Sequence, residues 1–217
     1  MEIDRRLCQA FGEPQRPRSH DPLEILIRTI LSQNTSDRNR DRAYAALRAR
    51  FPRWEDILAA SEEEVAEAIR PAGMFRQRAR RIQAVLRRIK EERSELSLAF
   101  LGDLSEEEAE KWLLSLPGVG KKTAYIVMLF AFGWERFPVD THIARVSQRL
   151  GLWDGRGDPH KALAPFIPPG RAYSLHLNLI QVGRKFCRPK NPRCAECPLS
   201  EICEFRKRRK DGESGGA

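Results

Sequence analysis

Four of the five cysteines crowd into the last thirty-one residues, as Cys187, Cys194, Cys197 and Cys203 with the spacing C-x6-C-x2-C-x5-C. Soft thiolates at that density suit a metal centre. One Cys-x-x-Cys flanked by two wider gaps differs from the two close pairs usual at structural zinc sites. An iron-sulfur centre is therefore favoured, with zinc as its competitor. Arg184, Lys185, Arg188, Lys190 and Arg193 surround the cluster, either offsetting its charge and facing a phosphate or standing as plain solvated charge. Cys8 stands apart.

A second constellation begins at Leu116-Pro117-Gly118-Val119-Gly120. Its glycines permit positive φ and leave backbone N–H groups unshielded, and a helix N-terminus follows directly. Gly118, Val119, Gly120 and Lys121 then make either a sequence-independent grip on a phosphate backbone or an ordinary connection between helices. Lys121 and Lys122 occupy the first helical turn, where the dipole disfavours cations. A lysine beside a second cation there should have a depressed pKa and more neutral amine for attack on carbon, unless both lysines simply touch phosphate. Asp140, in Pro138-Val139-Asp140-Thr141-His142, reads first as an N-cap for the run Ile143, Val146, Leu150. Its carboxylate is also able to stabilise a cationic sugar or assist proton transfer. His142 is expected to be a structural hydrogen bonder.

The elements that must position these groups read as helices throughout. Asp21-Pro22 is a cap with proline at the first helical position, ahead of Leu23, Ile27, Ile30 and Leu31 at helical spacing. Ser61-Glu62-Glu63-Glu64 and Ser105-Glu106-Glu107-Glu108 fit the capping box. Gln77 to Glu92 is amphipathic and basic, with Ile82, Leu86 and Ile89 on one face. No stretch alternates long enough for a sheet, so the fold class is all-α. Glu13 to Ser19 reads as a linker and 206–217 as a disordered tail.

Composition narrows the function classes. Lys and Arg total 39 against 30 Asp and Glu, a net +9, which favours a polyanionic partner but does not by itself distinguish one from a merely basic surface. The amino terminus lacks an apolar signal region, and the longest apolar run, Ala124 to Phe132, is too short to cross a bilayer. A cytoplasmic protein without membrane attachment is expected, with cysteines that are not paired as structural disulfides.

The run LPGVGKKTAYIVMLFAFGW…FPVDTHIARVSQRLGL resembles the helix-hairpin-helix plus Gly/Pro-Asp signature of the endonuclease III family of DNA glycosylases, and the cysteine spacing matches that family's 4Fe-4S loop. The resemblance extends from about Pro22 to Phe205. It implies two helical domains with a DNA-binding cleft between them. One is a six-helix domain over 22–133 with the hairpin motif at about 111–130; the other joins 1–21 to 134–205 and carries the cluster loop 187–203. It further implies a monomer acting on double-stranded DNA that contains damaged bases or abasic sites.

By the same resemblance Lys122 is the Schiff-base nucleophile, Asp140 the essential aspartate, and the four cysteines hold a structural 4Fe-4S cluster. Ala72-Gly73-Met74-Phe75 is similar to the intercalation loop, with Met74 at the inserted tip. Leu31-Ser32-Gln33-Asn34-Thr35 is similar to the loop whose amide fills the vacated position, Asn34 aligning best and Gln33 beside it. Tyr125 stands where the family usually has Asn, either lining the base pocket or packing. Oxidised pyrimidines are the implied substrates, with thymine or uracil opposite guanine as an alternative. Mismatch adenine glycosylases carry a different residue in place of Lys122 and a glutamate near Thr29. A non-catalytic DNA-binding module would need neither Lys122 nor Asp140.

Overall fold

The computed structural model describes residues 2–17 and 20–208. In chain order its helices are α1 (Glu2–Phe11), α2 (Pro22–Ser32), α3 (Asp37–Arg50), α4 (Trp54–Ala59), α5 (Glu62–Ala68), α6 (Phe75–Arg93), α7 (Glu106–Ser115), α8 (Lys121–Val127), α9 (Thr141–Leu150), α10 (Pro159–Leu163) and α11 (Ala172–Lys185). Among the described residues there is no strand, and the fold is all-α. None of the described helices is long and apolar enough to cross a membrane. The chain separates into a central unit, Arg18–Trp134, and a terminal unit formed by Met1–Pro17 with Glu135–Ala217.

The central unit is built on α2. Asp21 accepts the Leu23 N–H at 2.9 Å and starts the helix, which then buries Leu23, Leu26, Ile27, Ile30 and Leu31 completely. Each such side chain contributes about 1.5–3 kcal/mol through removal of apolar surface from water. Helix α6 crosses the same core with Ile82, Val85, Leu86 and Ile89, while buried Gln83 donates to the carbonyls of Ile57 and Ala60 at 2.8 Å each. The Ser61 and Ser105 boxes are both formed, each serine hydroxyl taking the N–H three residues on and the matching glutamate taking the serine's own N–H. Helix α8 runs straight into a π-helical turn, Met128–Phe132, that buries Met128 and Leu129 and stops at Gly133.

In the terminal unit α9 packs against α11, and Gly183 permits the approach. A Cβ built there would lie 2.6 Å from the Cβ of His142. Helix α1 also packs on α11, where Asn178 donates to the Gly12 carbonyl at 3.0 Å. Residues 12–17, the described part of the expected linker, are irregular, and 18 and 19 lie outside the described residues. After α11 the chain makes only 3-10 turns until a helical segment at 204–208. Residues 206–208 of the expected tail belong to that segment; 209–217 lie outside the described residues.

Candidate functional site

The hairpin joins α7 to α8 within the central unit. Its turn closes when the Val119 N–H donates to Leu116 at 3.2 Å, and the Val119 side chain is buried in the core, so this residue serves the turn from both ends. Gly118 has φ +73, and a Cβ there would meet the Arg81 side chain at 2.4 Å. Only glycine satisfies both conditions. No side chain caps α8 at Gly120, which leaves first-turn amides directed outward with the positive end of the helix. Lys121 and Lys122, both half-buried, stand in this turn. One turn on, the Tyr125 hydroxyl donates to Glu110 of α7 at 3.0 Å, tying the two helices of the motif together.

Two further loops flank α6. At its start Met74 has φ 45 and is 49% exposed, making it the exposed large hydrophobic residue among those described. A non-glycine residue in the left-handed region costs about 1–2 kcal/mol, and the lost burial costs more. Left-handed backbone and exposure thus coincide at this residue. Phe75, by contrast, packs against the core beneath the guanidinium groups of Arg70 and Arg76. After α2, Asn34 is exposed with φ 51, a conformation asparagine tolerates, whereas Gln33 is half-buried.

Both loops are fastened by α6. Arg78, 3% exposed, donates to the carbonyls of Gly73 at 2.7 Å, Ile30 at 2.9 Å and Leu31 at 2.6 Å, and also to that of Gln33. Burial, then the neighbouring Arg81 cation, pull its pKa below the usual arginine value. One turn later Arg81 donates to the Gln33 side-chain oxygen at 2.6 Å while lying against Gly118. Gln33, Met74 and Gly118 thus belong to three loops that share one pair of arginines.

Asp140 lies in the terminal unit. Its Oδ1 accepts the Ile143 N–H at 2.8 Å, so the capping role is realised, and the carboxylate is half-buried. The approach to it is fixed by buried His176, whose Nδ1 donates to the Pro138 carbonyl at 3.0 Å and whose ring meets Phe137 edge-on. His142 accepts from Arg145 through Nδ1 at 3.1 Å, a structural contact. Along the same helix Arg145 donates to the carbonyls of Cys187 at 2.7 Å and Gly183 at 2.9 Å. Arg149 reaches the carbonyls of Arg188 at 2.8 Å and Pro189 at 3.1 Å, and the sulfur of Cys187 at 3.4 Å. The helix that Asp140 starts is therefore also the support of the cysteine loop.

The cysteine loop has the chemistry of a cluster site. Burial pushes the Cys197 thiol up to about 11, and the nearby sulfurs of Cys187, Cys203 and Cys194 add to the effect. Four mutually repelling thiolates require a cation to compensate them. Among the described residues no three His, Cys, Asp or Glu side chains are grouped to hold a single metal ion. A 4Fe-4S cluster would ask instead for four cysteine thiolates. The donor set, four cysteine thiols within one seventeen-residue segment, fits an iron-sulfur cluster.

Arg78, Arg81, Arg145, Arg149 and His176 carry no motif in the sequence. The signal available for Arg78 and Arg81 is their position on the apolar side of α6, in register with buried Ile82, Val85 and Ile89. His176 sits likewise among buried residues of α11.

Residues 27–166 match the HhH-GPD superfamily of base excision DNA repair proteins, and residues 187–203 match the iron-sulfur binding domain of endonuclease III. The chain is 35% identical to endonuclease III of Thermotoga maritima, over 98% of this chain and 95% of that one. It is 37% identical to endonuclease III of Bacillus subtilis, over 88% of this chain and 85% of that one. A solved structure of a trapped endonuclease III–DNA covalent intermediate, an estranged-adenine complex, matches with a TM-score of 0.80 at 30% identity, covering 96% of this chain and 95% of that one.

Proposed function

We propose, because this chain belongs to the endonuclease III family of the HhH-GPD superfamily of base excision DNA repair proteins, that Lys122 and Asp140 excise a damaged pyrimidine and then cut the abasic strand. The protein is a DNA glycosylase whose partner is DNA and whose 187–203 segment binds a 4Fe-4S cluster. Within that frame the roles of individual residues, the oxidised-pyrimidine substrate and action as a monomer on damaged duplex DNA are our reading.

The reaction begins with extrusion of the nucleotide, which requires the stack to be opened and the gap filled. Met74 enters as the wedge, and Asn34 occupies the vacated position. The first turn of α8 and the hairpin at Gly118 and Gly120 hold the phosphate backbone, with Lys121 supplying a further positive charge. Lys122 Nζ attacks the deoxyribose C1′ and the C1′–N bond breaks, its electron pair leaving with the base, which takes up a proton. Asp140 stabilises the positive charge that develops on the sugar. The nitrogen lone pair then opens the ring to a Schiff base. Loss of a C2′ proton expels the 3′ phosphate by β-elimination, and water hydrolyses the imine to free the lysine. Cys187, Cys194, Cys197 and Cys203 would hold the cluster, whose role would be structural and outside these steps.

The observation that best supports this reading is the position of Lys122: a primary amine in the first turn of an uncapped helix, directly after a glycine turn suited to phosphate. The test is incubation of the protein with duplexes that carry an abasic site, thymine glycol, or thymine or uracil opposite guanine. We expect nicking at the abasic site and at thymine glycol. Product only on the guanine mismatches would move the substrate assignment, and no product on any duplex would leave a DNA-binding module without catalysis.

A further inference from the structure

The three loops that the proposed function brings to DNA share no covalent neighbourhood, yet one face of α6 touches all of them. Arg78 gathers main-chain carbonyls from the loop after α2 and from the loop before α6. These acceptors are neutral carbonyls rather than a carboxylate, so the guanidinium keeps its positive charge beneath a surface read as meeting phosphate. Arg81, one turn further, occupies the space that Gly118 leaves open and binds the Gln33 carboxamide oxygen. A guanidinium suits both positions, because its planar fork satisfies several acceptors at fixed angles and an ammonium does not.

The Arg81–Gln33 contact also separates two neighbouring amides. The oxygen of Gln33 is engaged within the protein at 2.6 Å, whereas Asn34 is exposed on left-handed backbone. For Gln33 to enter DNA it would first have to surrender a charge-assisted hydrogen bond. Asn34 has no such step to make.

We propose that Arg78 and Arg81 are positioning residues that lock the wedge loop, the amide loop and the hairpin into one preformed surface, with Arg81 retaining Gln33 as a strut so that Asn34 is the amide presented to the gap. This rests on the reading of the loops given above. Preorganisation of this kind should appear as discrimination: the surface fits a duplex with a vacant position and gains nothing on a strand that has no gap.

The test uses the full-length protein with its cluster. Affinity is measured for a duplex containing a tetrahydrofuran abasic analogue, for the undamaged duplex, and for the same analogue in a single strand. Arg81→Met is expected to lower the preference for the abasic over the undamaged duplex about tenfold, the effect of one charge-assisted hydrogen bond. The affinity lost on the single strand should be several-fold smaller. Gln33→Ala should behave alike, and the double variant should lose no more than either single one, since both act through one contact. Arg78→Lys, which keeps the charge and loses the fork, should reduce the same preference. Preference unchanged in Arg81→Met, equal losses on duplex and single strand, or additive losses in the double variant would overturn the proposal. A wild-type protein with no preference for the abasic duplex would instead overturn the reading of the loops, and the inference with it.

Discussion

In the central unit the loops around Asn34 and Met74 stand on a continuous apolar core, with more than twenty buried side chains drawn from α2 to α8. Residues 187–208 of the terminal unit bury a single one, Leu199. Both regions hold irregular backbone in place, and both use arginines that donate to carbonyls: Arg78 in the one, Arg145 and Arg149 in the other. The difference lies beneath the arginines. Loops on a packed core are fixed by folding alone, whereas a segment with almost no core rests on those hydrogen bonds and, by our reading, on the cluster it binds.

The sharpest way to break this contrast is to remove the cluster. Iron extraction, or Cys197→Ser, should abolish the visible absorption and destabilise the terminal unit by at least about 4 kcal/mol, because metal binding is folding free energy for such a loop. For a chain of this size that is a fall in Tm of about 10 °C or more. Limited proteolysis should then cut first within 187–203 and leave the central unit protected. Equal cleavage in both units would contradict the contrast.

Asp140→Asn separates capping from charge. Asparagine caps as well as aspartate, so stability should stay within about 0.5 kcal/mol, while the glycosylase rate falls about 10²–10³-fold through loss of transition-state charge stabilisation. A variant with wild-type turnover would reduce Asp140 to a cap. Gly118→Ala should cost about 1–3 kcal/mol, since the new Cβ must sit at positive φ and against Arg81; urea denaturation measures it, and a neutral result would mean that the hairpin is free to shift. The smallest effect on folding belongs to Met74→Ala. Stability should change by no more than about 0.5 kcal/mol at so exposed a site, yet affinity for an abasic duplex should drop. Unchanged affinity would remove Met74 as the wedge.

Much of this architecture is legible in the sequence because it is local. The caps at Asp21, Ser61, Ser105 and Asp140 each reach two or three residues, and the core face of α6 repeats with helical period. The hairpin and the cysteine spacing are contiguous motifs. What the sequence hides is non-local. In QRARRIQAVLRRIK helical register sets Arg78 and Arg81 beside the apolar face, but nothing marks them as partners of a loop some 45–48 residues away. Arg145 and Arg149 likewise meet their carbonyls about forty residues later. Met74 is legible through its resemblance to the intercalation tip, whereas its left-handed backbone has no local signal in the sequence.

The central claim is that the Lys122 amine forms the covalent bond to the sugar. Borohydride reduction during turnover on an abasic duplex, followed by proteolysis and mass spectrometry, tests it directly. The account predicts a single DNA-linked peptide modified at Lys122, absent in Lys122→Ala. An adduct on Lys121 or elsewhere, or trapping undiminished in Lys122→Ala, would contradict it.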